Sequence, residues 1–191
     1  MNKYVQPIVI GVVAGLCMGL LIKMFVFPEG IAPYFYGLGC TVFVAYILAN
    51  LAGNRKVAAA DAAERAAALA MRAPPGKALL IPYREGFVAK LAGMNLALDG
   101  REFVQLTAPK FACLAVSPGR HTLTGAFGGL AGPQSRPASL EFDAAEGSVT
   151  VVRIHSKMGL VQGGIAFTPE PDPAAVRAKL ERMPMAAASA E

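Results

Sequence analysis

Two long uncharged segments in the first third of the chain constrain its fold more than any other feature. Residues 5–22 carry no charged side chain, the apolar run continues past Lys23 to residue 27, and a second uncharged run covers residues 31–51. About 20 apolar residues in a helix suffice to cross the hydrocarbon core of a bilayer, which is about 30 Å thick. Because Pro28, Glu29 and Gly30 form a short turn between the runs, we expect residues 1–54 to form a two-helix transmembrane hairpin, with spans at about residues 5–27 and 31–51.

The distribution of charge indicates a membrane segment joined to an ordinary domain. Of the 191 residues 54% are hydrophobic and 16% are charged, and residues 1–54 contribute only Lys3, Lys23 and Glu29 to the charged set. A soluble domain has about 25% charged residues, so the chain average describes neither part. A cleaved signal peptide is disfavoured because no small-x-small site follows the first apolar run before Lys23. A lipoprotein signal is disfavoured because Leu16, not a small residue, precedes Cys17.

Small residues recur every four positions in both predicted spans, which places them along one face of each helix. In lipid no hydrophobic force drives helices together, and such rows allow two backbones to approach closely. The rows can pack on each other within one hairpin, or they can drive self-association of the chain. We favour the first alternative, because a hairpin needs such a seam. The rows consist of Gly11, Gly15 and Gly19 in the first span and Thr41, Ala45, Ala49 and Gly53 in the second.

The positions of lysine and arginine predict the orientation of the hairpin. Lys3 precedes the first span, Arg55 and Lys56 follow the second, and the connecting loop has only Glu29. By the positive-inside rule both termini are expected in the cytoplasm of a bacterial inner-membrane protein, with a periplasmic location as the alternative. Lys23 lies close enough to the end of its span for its ammonium group to reach the headgroups.

An alanine-rich segment follows the second span. Alanine has the highest helix propensity, so residues 55–76 are expected to continue the second span as a spacer helix. Pro74, Pro75 and Gly76 would end that helix, because proline cannot continue it.

Residues 77–168 consist of short strand-like runs separated by turns. Asp99-Gly100 between two apolar runs is a strong hairpin signal, since type I′ turns need positive φ. Seven to nine strands without a helical segment predict an all-β antiparallel sandwich. Residues 169–191 are expected to form a short helix, within residues 173–183, and then a disordered alanine-rich tail. The candidate strands are Ala78–Tyr83, Phe87–Lys90, Met94–Leu98, Phe103–Leu106, Phe111–Val116, Leu123–Phe127, Ser139–Phe142, Val149–His155 and Ile165–Thr168.

The order of motifs in residues 77–168 resembles a family of bacterial β-sandwich domains of unknown function, similar to PEGA-type domains of lipoproteins and membrane-anchored proteins. The motifs are the Leu98-Asp99-Gly100 hairpin, the Pro118-Gly119-Arg120-His121 turn into a strand, and Glu146-Gly147 before a late strand. The resemblance implies a β-sandwich that acts as a carbohydrate-surface or adaptor module without catalysis, and it transfers no catalytic residue. Domains of this family often lie on the outer side of the inner membrane, which conflicts with the cytoplasmic location that the positive-inside count predicts.

Side chains that could support catalysis or metal binding are sparse. His121 and His155 are the two histidines, and neither has the paired Cys or His spacing of a zinc site. Cys113 falls in an apolar strand, where a buried structural thiol is the better interpretation than a nucleophile. We therefore expect no catalytic residue, no cofactor and no metal. A well-formed pocket with His121 or His155 beside an acid would instead favour an enzyme.

A glycine-rich stretch, residues 125–132, lacks the Lys-Ser or Lys-Thr and the following helix of a phosphate-binding loop. It is predicted to be a flexible hairpin loop. Its apolar residues Phe127 and Leu130 are candidates for contact with the bilayer or a partner. The alternative is a loop folded onto its own sandwich.

The net charge of +5 is spread thinly, without a dense Lys/Arg run or interleaved aromatics, so nucleic-acid binding is not expected. The bilayer is the predicted partner, together with a protein partner or self-association through the spans. The sequence favours a membrane-anchored, non-enzymatic interaction or adaptor module. The alternative is a small subunit or regulator of a membrane complex that assembles through its glycine-rich transmembrane helices.

Overall fold

The computed structural model describes residues 5–27, 29–87, 89–129, 132, 135–157 and 163–189. The chain divides into two compact units, residues 1–54 and residues 55–191.

The first unit is a pair of helices, α1 (Val5–Phe25) and α2 (Ala32–Ala52). Both are long and apolar enough to cross a membrane by length and composition. Most of their apolar side chains are exposed; Leu16 is 63% exposed and Phe43 64% exposed. The core helix of a soluble protein would bury such residues, so the exposure agrees with helices that face lipid. The predicted two-helix hairpin is confirmed as a fold.

The second unit contains two sheets and two short helices. The helices are α3 (Ala62–Leu69) and α4 (Pro173–Leu180). The strands are β1 (Ala78–Arg84), β2 (Met94–Leu98), β3 (Arg101–Leu106), β4 (Lys110–Phe111), β5 (Leu114–Val116), β6 (Gly119–Phe127), β7 (Ser135–Arg136), β8 (Ala138–Ala144), β9 (Val149–Lys157) and β10 (Gly163–Pro169). One sheet has the strand order β4-β1-β9-β10-β7, and β5 also pairs with β1 in it. The other sheet has the order β3-β2-β6-β8.

The sandwich is confirmed, but only one of its sheets is wholly antiparallel. Strands β1 and β9 pair in parallel, from Leu79 opposite Val149 to Arg84 opposite Ile154, and β7 and β10 are also parallel. The turn after β8 places Ser148 beside the start of β1, where the Leu79 amide donates to the Ser148 carbonyl oxygen at 2.9 Å. Strand β9 therefore begins next to the beginning of β1 and runs in the same direction. The first sheet is consequently mixed.

Two apolar clusters stabilise this unit. The larger cluster fills the space between the sheets and includes the fully buried Leu80, Met94 and Leu106. The smaller one covers the outer face of the first sheet, where Ile81 and Val151 pack with residues of α3, α4 and the chain after α4. Because β1 contributes to both clusters, all seven of its residues are buried, as expected for a strand with a continuous apolar run.

The predicted spacer helix over residues 55–76 is wrong. Helix α2 ends at Ala52, and a new helix begins after Asp61, whose side chain accepts from the Glu64 amide at 2.7 Å in a capping box. Residues 55–60 lie along the sandwich, where the Ala60 amide donates to the Met185 carbonyl oxygen at 3.0 Å. A helix that starts at Asp61 is favoured over one that continues from α2, although the alanines have a high helix propensity. The Asp61 side chain satisfies an amide that a helix start otherwise leaves without a partner.

The terminal helix is confirmed as α4, but the disordered tail is wrong for the residues that the structure describes. Met183 and Met185 are buried in the smaller cluster, and Ala186 is buried in the larger one. Ala186 also donates its amide to the Phe111 carbonyl oxygen at 2.8 Å. The burial of these apolar side chains offsets the entropy that a free alanine-rich tail would keep.

Candidate functional site

A buried arginine lies at the end of β1. Arg84 is only 1% exposed, and its guanidinium donates to the carbonyl oxygens of Ala89 (2.7 Å), Leu106 (2.9 Å) and Ala92. The guanidinium carbon also lies 5.4 Å from the centroid of the Phe127 ring, in a cation–π contact. Burial lowers the pKa of Arg84 to about 10, so the group still carries its charge at neutral pH.

The carbonyl oxygens that surround Arg84 replace the carboxylate that a buried cation usually has. The nearby carboxylate of Glu85 pairs instead with Lys179 at 3.0 Å and with Arg153 at 3.5 Å. Arg84 thus acts as a clamp that joins the end of β1 to the segment that follows it and to the end of β3.

The clamped segment, described for residues 85–87 and 89–92, is a tight loop that we call the apolar loop. Gly86 has a φ of 104° and Ala89 a φ of 52°, conformations that the backbone adopts only in sharp turns. The Lys90 amide donates to the Phe87 carbonyl oxygen at 3.2 Å, and the Ala108 amide donates to the Lys90 carbonyl oxygen at 3.1 Å. These bonds, with those from Arg84, fix the backbone of the loop.

The apolar loop exposes two large apolar side chains. Phe87 is 89% exposed and Leu91 is 60% exposed, and within residues 55–191 no other described large apolar side chain is exposed to a similar degree. Lys90 lies between them in sequence and is also exposed. The loop is therefore a fixed backbone that presents two apolar groups and a cation to the surroundings.

Of the two apolar residues that the sequence proposed for contact with a bilayer or a partner, the structure describes Phe127 and buries it. Phe127 ends β6 and is only 8% exposed, packed in the larger cluster and against Arg84, so it is not free to touch a bilayer or a partner. Leu130 lies outside the described residues. For Phe127 the alternative of a side chain folded onto its own sandwich is correct.

Sequence reasoning missed Phe87 because the run Phe87–Lys90 has the composition of a strand. The signals that could have found the loop are Gly86 just before this run, Gly93 three residues after it, and a lone arginine at the end of a strand without other charged residues. Glycines that bracket a short apolar run favour a turn over a strand.

The opposite end of the sandwich holds a polar cluster around His121. Its Nδ1 lies 2.6 Å from Asp99 Oδ2 and its Nε2 lies 2.7 Å from the Ser117 carbonyl oxygen. Asp99 also accepts from the Thr122 amide at 2.8 Å. These hydrogen bonds raise the pKa of His121, Asp99 first and the Ser117 carbonyl second, and the bond from His121 is the main cause that lowers the pKa of Asp99.

This cluster borders a cavity of about 350 Å³, the arrangement that would favour an enzyme. However, a carboxylate and a carbonyl oxygen both accept, so these two contacts favour the imidazolium form of His121, in which both ring nitrogens donate. An imidazolium has no lone pair with which to remove a proton, and its two N–H groups are already occupied. The cluster joins the Asp99-Gly100 hairpin to the Ser117-Pro118 turn, which is a structural role.

The other candidate reactive groups are not assembled into a site. Burial raises the pKa of the Cys113 thiol to about 11, which suppresses the thiolate that a nucleophile needs. His155 lies on β9, away from His121. Among the described residues no group of three or more His, Cys, Asp or Glu side chains could hold a metal ion.

The small-residue rows of the two spans face each other within the hairpin. A Cβ placed on Gly11 would lie 2.7 Å from the Ala45 Cβ, one on Gly15 would overlap Thr41, and one on Gly19 would lie 3.4 Å from the Gly37 Cα. Ala49 is also buried, and Gly53 caps the end of α2. Lys23 Nζ donates to Tyr34 Oη at 3.2 Å near the turn that connects the two helices, as expected for a lysine that reaches toward the headgroups.

Comparison with protein families finds no family model that matches the chain, and comparison with curated proteins finds no match. The likeness to PEGA-type domains therefore stays a prediction from motifs.

Proposed function

We propose that the chain is a membrane-anchored, non-enzymatic interaction module of the bacterial inner membrane, in which the hairpin holds the sandwich at the bilayer and the sandwich binds a partner. The two apolar helices support the anchor. Only Gly53 and Asn54 separate α2 from Arg55, the first residue of the second unit, so the anchor and the domain are joined by a short connection.

The apolar loop is the observation that carries the binding role. Burying Arg84 without a carboxylate costs free energy, and its hydrogen bonds hold Phe87 and Leu91 in water rather than in the core. Large apolar side chains that a rigid backbone displays together typically mark a contact surface. The exposed side chains of Phe87 and Leu91 lie outside the apolar core, so a binding role explains their display better than a stabilising one.

Two further observations favour this proposal over its alternatives. Both ring nitrogens of His121 are occupied, which weakens the case for an enzyme. The glycine rows are used inside the hairpin, which leaves less small-residue surface for assembly of a larger membrane complex. A role like that of PEGA-type adaptor domains would fit the same arrangement.

Photo-crosslinking of the full chain in cells tests the binding role. A benzophenone amino acid at Phe87 is expected to form adducts well above those of the same group at Ala145, an exposed residue after β8 at the opposite end of the sandwich. Replacing the hairpin by an unrelated one should leave the Phe87 adducts unchanged, whereas a complex assembled through the spans would lose them. Equal adduct levels at the two positions would refute the proposal.

A further inference from the structure

The apolar loop lies at one end of the sandwich, which we call the loop end. Arg84 at the end of β1 is opposite Lys110 of β4 and Ile154 of β9, and β9 continues past that register to Lys157. The apolar loop then leads to Met94 at the start of β2. The ends of both sheets and the apolar loop therefore meet at the loop end.

The loop end carries lysines around its apolar tip. Lys90, Lys110 and Lys157 have no ion-pair partner among the described residues. The nearby acid, Glu85, is paired with Lys179 and Arg153. The loop end thus combines two exposed apolar side chains with three cations, which is the composition of surfaces that lie at the interface of anionic bilayers.

The chain also enters the domain at the loop end. The Arg55 amide donates to Gln105 Oε1 at 2.6 Å, and Gln105 precedes Leu106, whose carbonyl oxygen accepts from Arg84. Gln105 Nε2 in turn donates to Asn95 Oδ1 at 2.5 Å, next to the start of β2. The backbone of Arg55 is thus tied to the end of β3 that meets the apolar loop, while its side chain extends along β3 to Glu102 at 2.7 Å.

We propose that the loop end docks on the surface of a bilayer that contains anionic phospholipids, with Phe87 and Leu91 in the interfacial region and the three lysines beside lipid phosphates. This inference rests on the proposed function, because it names the bilayer surface as the partner that the apolar loop binds and it needs the hairpin to be embedded. The charge and the two-residue connection to α2 favour lipid as the occupant. An apolar surface for a protein would not need unpaired lysines on three separate elements.

Tryptophan fluorescence in the full chain tests the docking, because the sequence contains no tryptophan. The variants Phe87→Trp and Ala145→Trp each place one tryptophan at an exposed position, at opposite ends of the sandwich. Each is reconstituted into vesicles of phosphatidylcholine or of equimolar phosphatidylcholine and phosphatidylglycerol, with and without lipids brominated near the headgroup. Alkaline carbonate extraction measures separately whether the hairpin is inserted.

In the anionic vesicles the Phe87→Trp emission should lie at shorter wavelength than in the phosphatidylcholine vesicles, and the brominated lipid should quench it. The Ala145→Trp emission should not be quenched. Replacing Lys90, Lys110 and Lys157 by glutamine should reduce the quenching about twofold, and so should raising the salt from about 0.1 M to about 1 M. These results would establish docking on anionic lipid.

Two results would overturn the inference, and they differ from a failure of the anchor. Inserted protein in which Phe87→Trp is no more quenched than Ala145→Trp excludes docking but leaves the anchor intact. Photo-crosslinks from residue 87 to protein in cells, together with no quenching in the lipid vesicles, would assign the loop end to a protein partner instead. Protein that carbonate extracts from the vesicles would contradict the proposed function itself.

Discussion

A single buried charge, that of Arg84, fixes the backbone of the loop that exposes Phe87 and Leu91. Arg84 lies at the end of the strand that both apolar clusters share, and its guanidinium bonds to carbonyl oxygens of the apolar loop and of β3. Its side chain connects the fold to the exposed Phe87 and Leu91, so its removal should affect both stability and loop shape.

Replacing Arg84 by Met is expected to lower the free energy of unfolding of the second unit by about 3 kcal/mol, because buried carbonyl oxygens lose their donor. The measurement is urea unfolding of the full chain in detergent, followed by the circular dichroism of the strands. Arg120→Met is the control, since Arg120 and Asp143 are 73% and 78% exposed and their pair at 3.6 Å is worth about 0.5 kcal/mol or less. Equal effects of the two changes would contradict the role of Arg84 as a clamp.

His121 makes the stability of the opposite end depend on pH. Its folded pKa is raised above its unfolded value of 6.5, so the stabilisation is complete below about pH 6.5 and is lost as the pH rises through the folded pKa. The folded pKa of Asp99 is lowered from 3.8, so its contribution is present above that value and is lost as the pH falls through the folded pKa. The pair contributes most between these limits.

The variant His121→Gln should therefore lose less stability than the parent chain when the pH is raised from about 6 to about 9. The readout is the urea midpoint at each pH, followed as above. Asp99→Asn is a matched second variant, because it replaces the carboxylate whose hydrogen bond raises the pKa of His121, and it should also reduce the loss of stability between about pH 6 and about pH 9. An unchanged slope in both variants would show that the imidazolium does not stabilise this end.

At the scale of helices, close packing in the hairpin depends on glycine at particular positions. A Cβ on Gly15 would overlap Thr41 and approach the Gly37 carbonyl oxygen at 2.6 Å, so backbones would have to move apart. A Cβ on Gly39, in the facing helix, meets nothing within 4 Å. The two positions form a matched pair for a test of the seam.

Gly15→Ala is expected to destabilise the hairpin by about 1–3 kcal/mol through overpacking, and Gly39→Ala is expected to be neutral or slightly stabilising because alanine favours helix. The fraction of protein that stays monodisperse after heating in mild detergent measures the difference. A Gly15→Ala variant as heat-resistant as Gly39→Ala would show that the glycine seam does not hold the helices together.

The parts of the fold that follow from local sequence could be predicted. The uncharged runs are long enough to define α1 and α2, and the alternating strands with Asp99-Gly100 define a sandwich. The pairing of β1 with β9 could not be predicted, because it joins segments about 70 residues apart and depends on where β8 ends. Composition alone predicts a disordered tail. The tail is ordered because Met183 and Met185 pack in the smaller cluster and Ala186 bonds to Phe111, contacts with residues distant in sequence.

The candidate site was harder to predict for a related reason. Phe87 and Phe127 both lie in short apolar runs near glycines, and their local sequences do not distinguish an exposed side chain from a buried one. The difference is set by Arg84, which binds the backbone of one loop and covers the ring of the other residue. The exposure of Phe87 and the burial of Phe127 therefore depend on tertiary contacts and not on their local sequences.

At the scale of the whole molecule, function depends on which compartment the second unit occupies. The positive-inside count predicts that both termini lie in the cytoplasm, while the resemblance to PEGA-type domains predicts the outer side. The compartment also decides which lipid leaflet the loop end could meet.

Ala145→Cys, in the second unit, and Glu29→Cys, in the turn of the hairpin, separate the two orientations. With cytoplasmic termini, a membrane-impermeant maleimide should label Glu29→Cys in cells whose outer membrane is permeabilised and label Ala145→Cys only after lysis. The parent chain gives the background, which should be low from Cys113 because its raised pKa, about 11, leaves little thiolate. The reverse pattern would place the second unit in the periplasm, and the loop end would then face the outer leaflet of the same membrane.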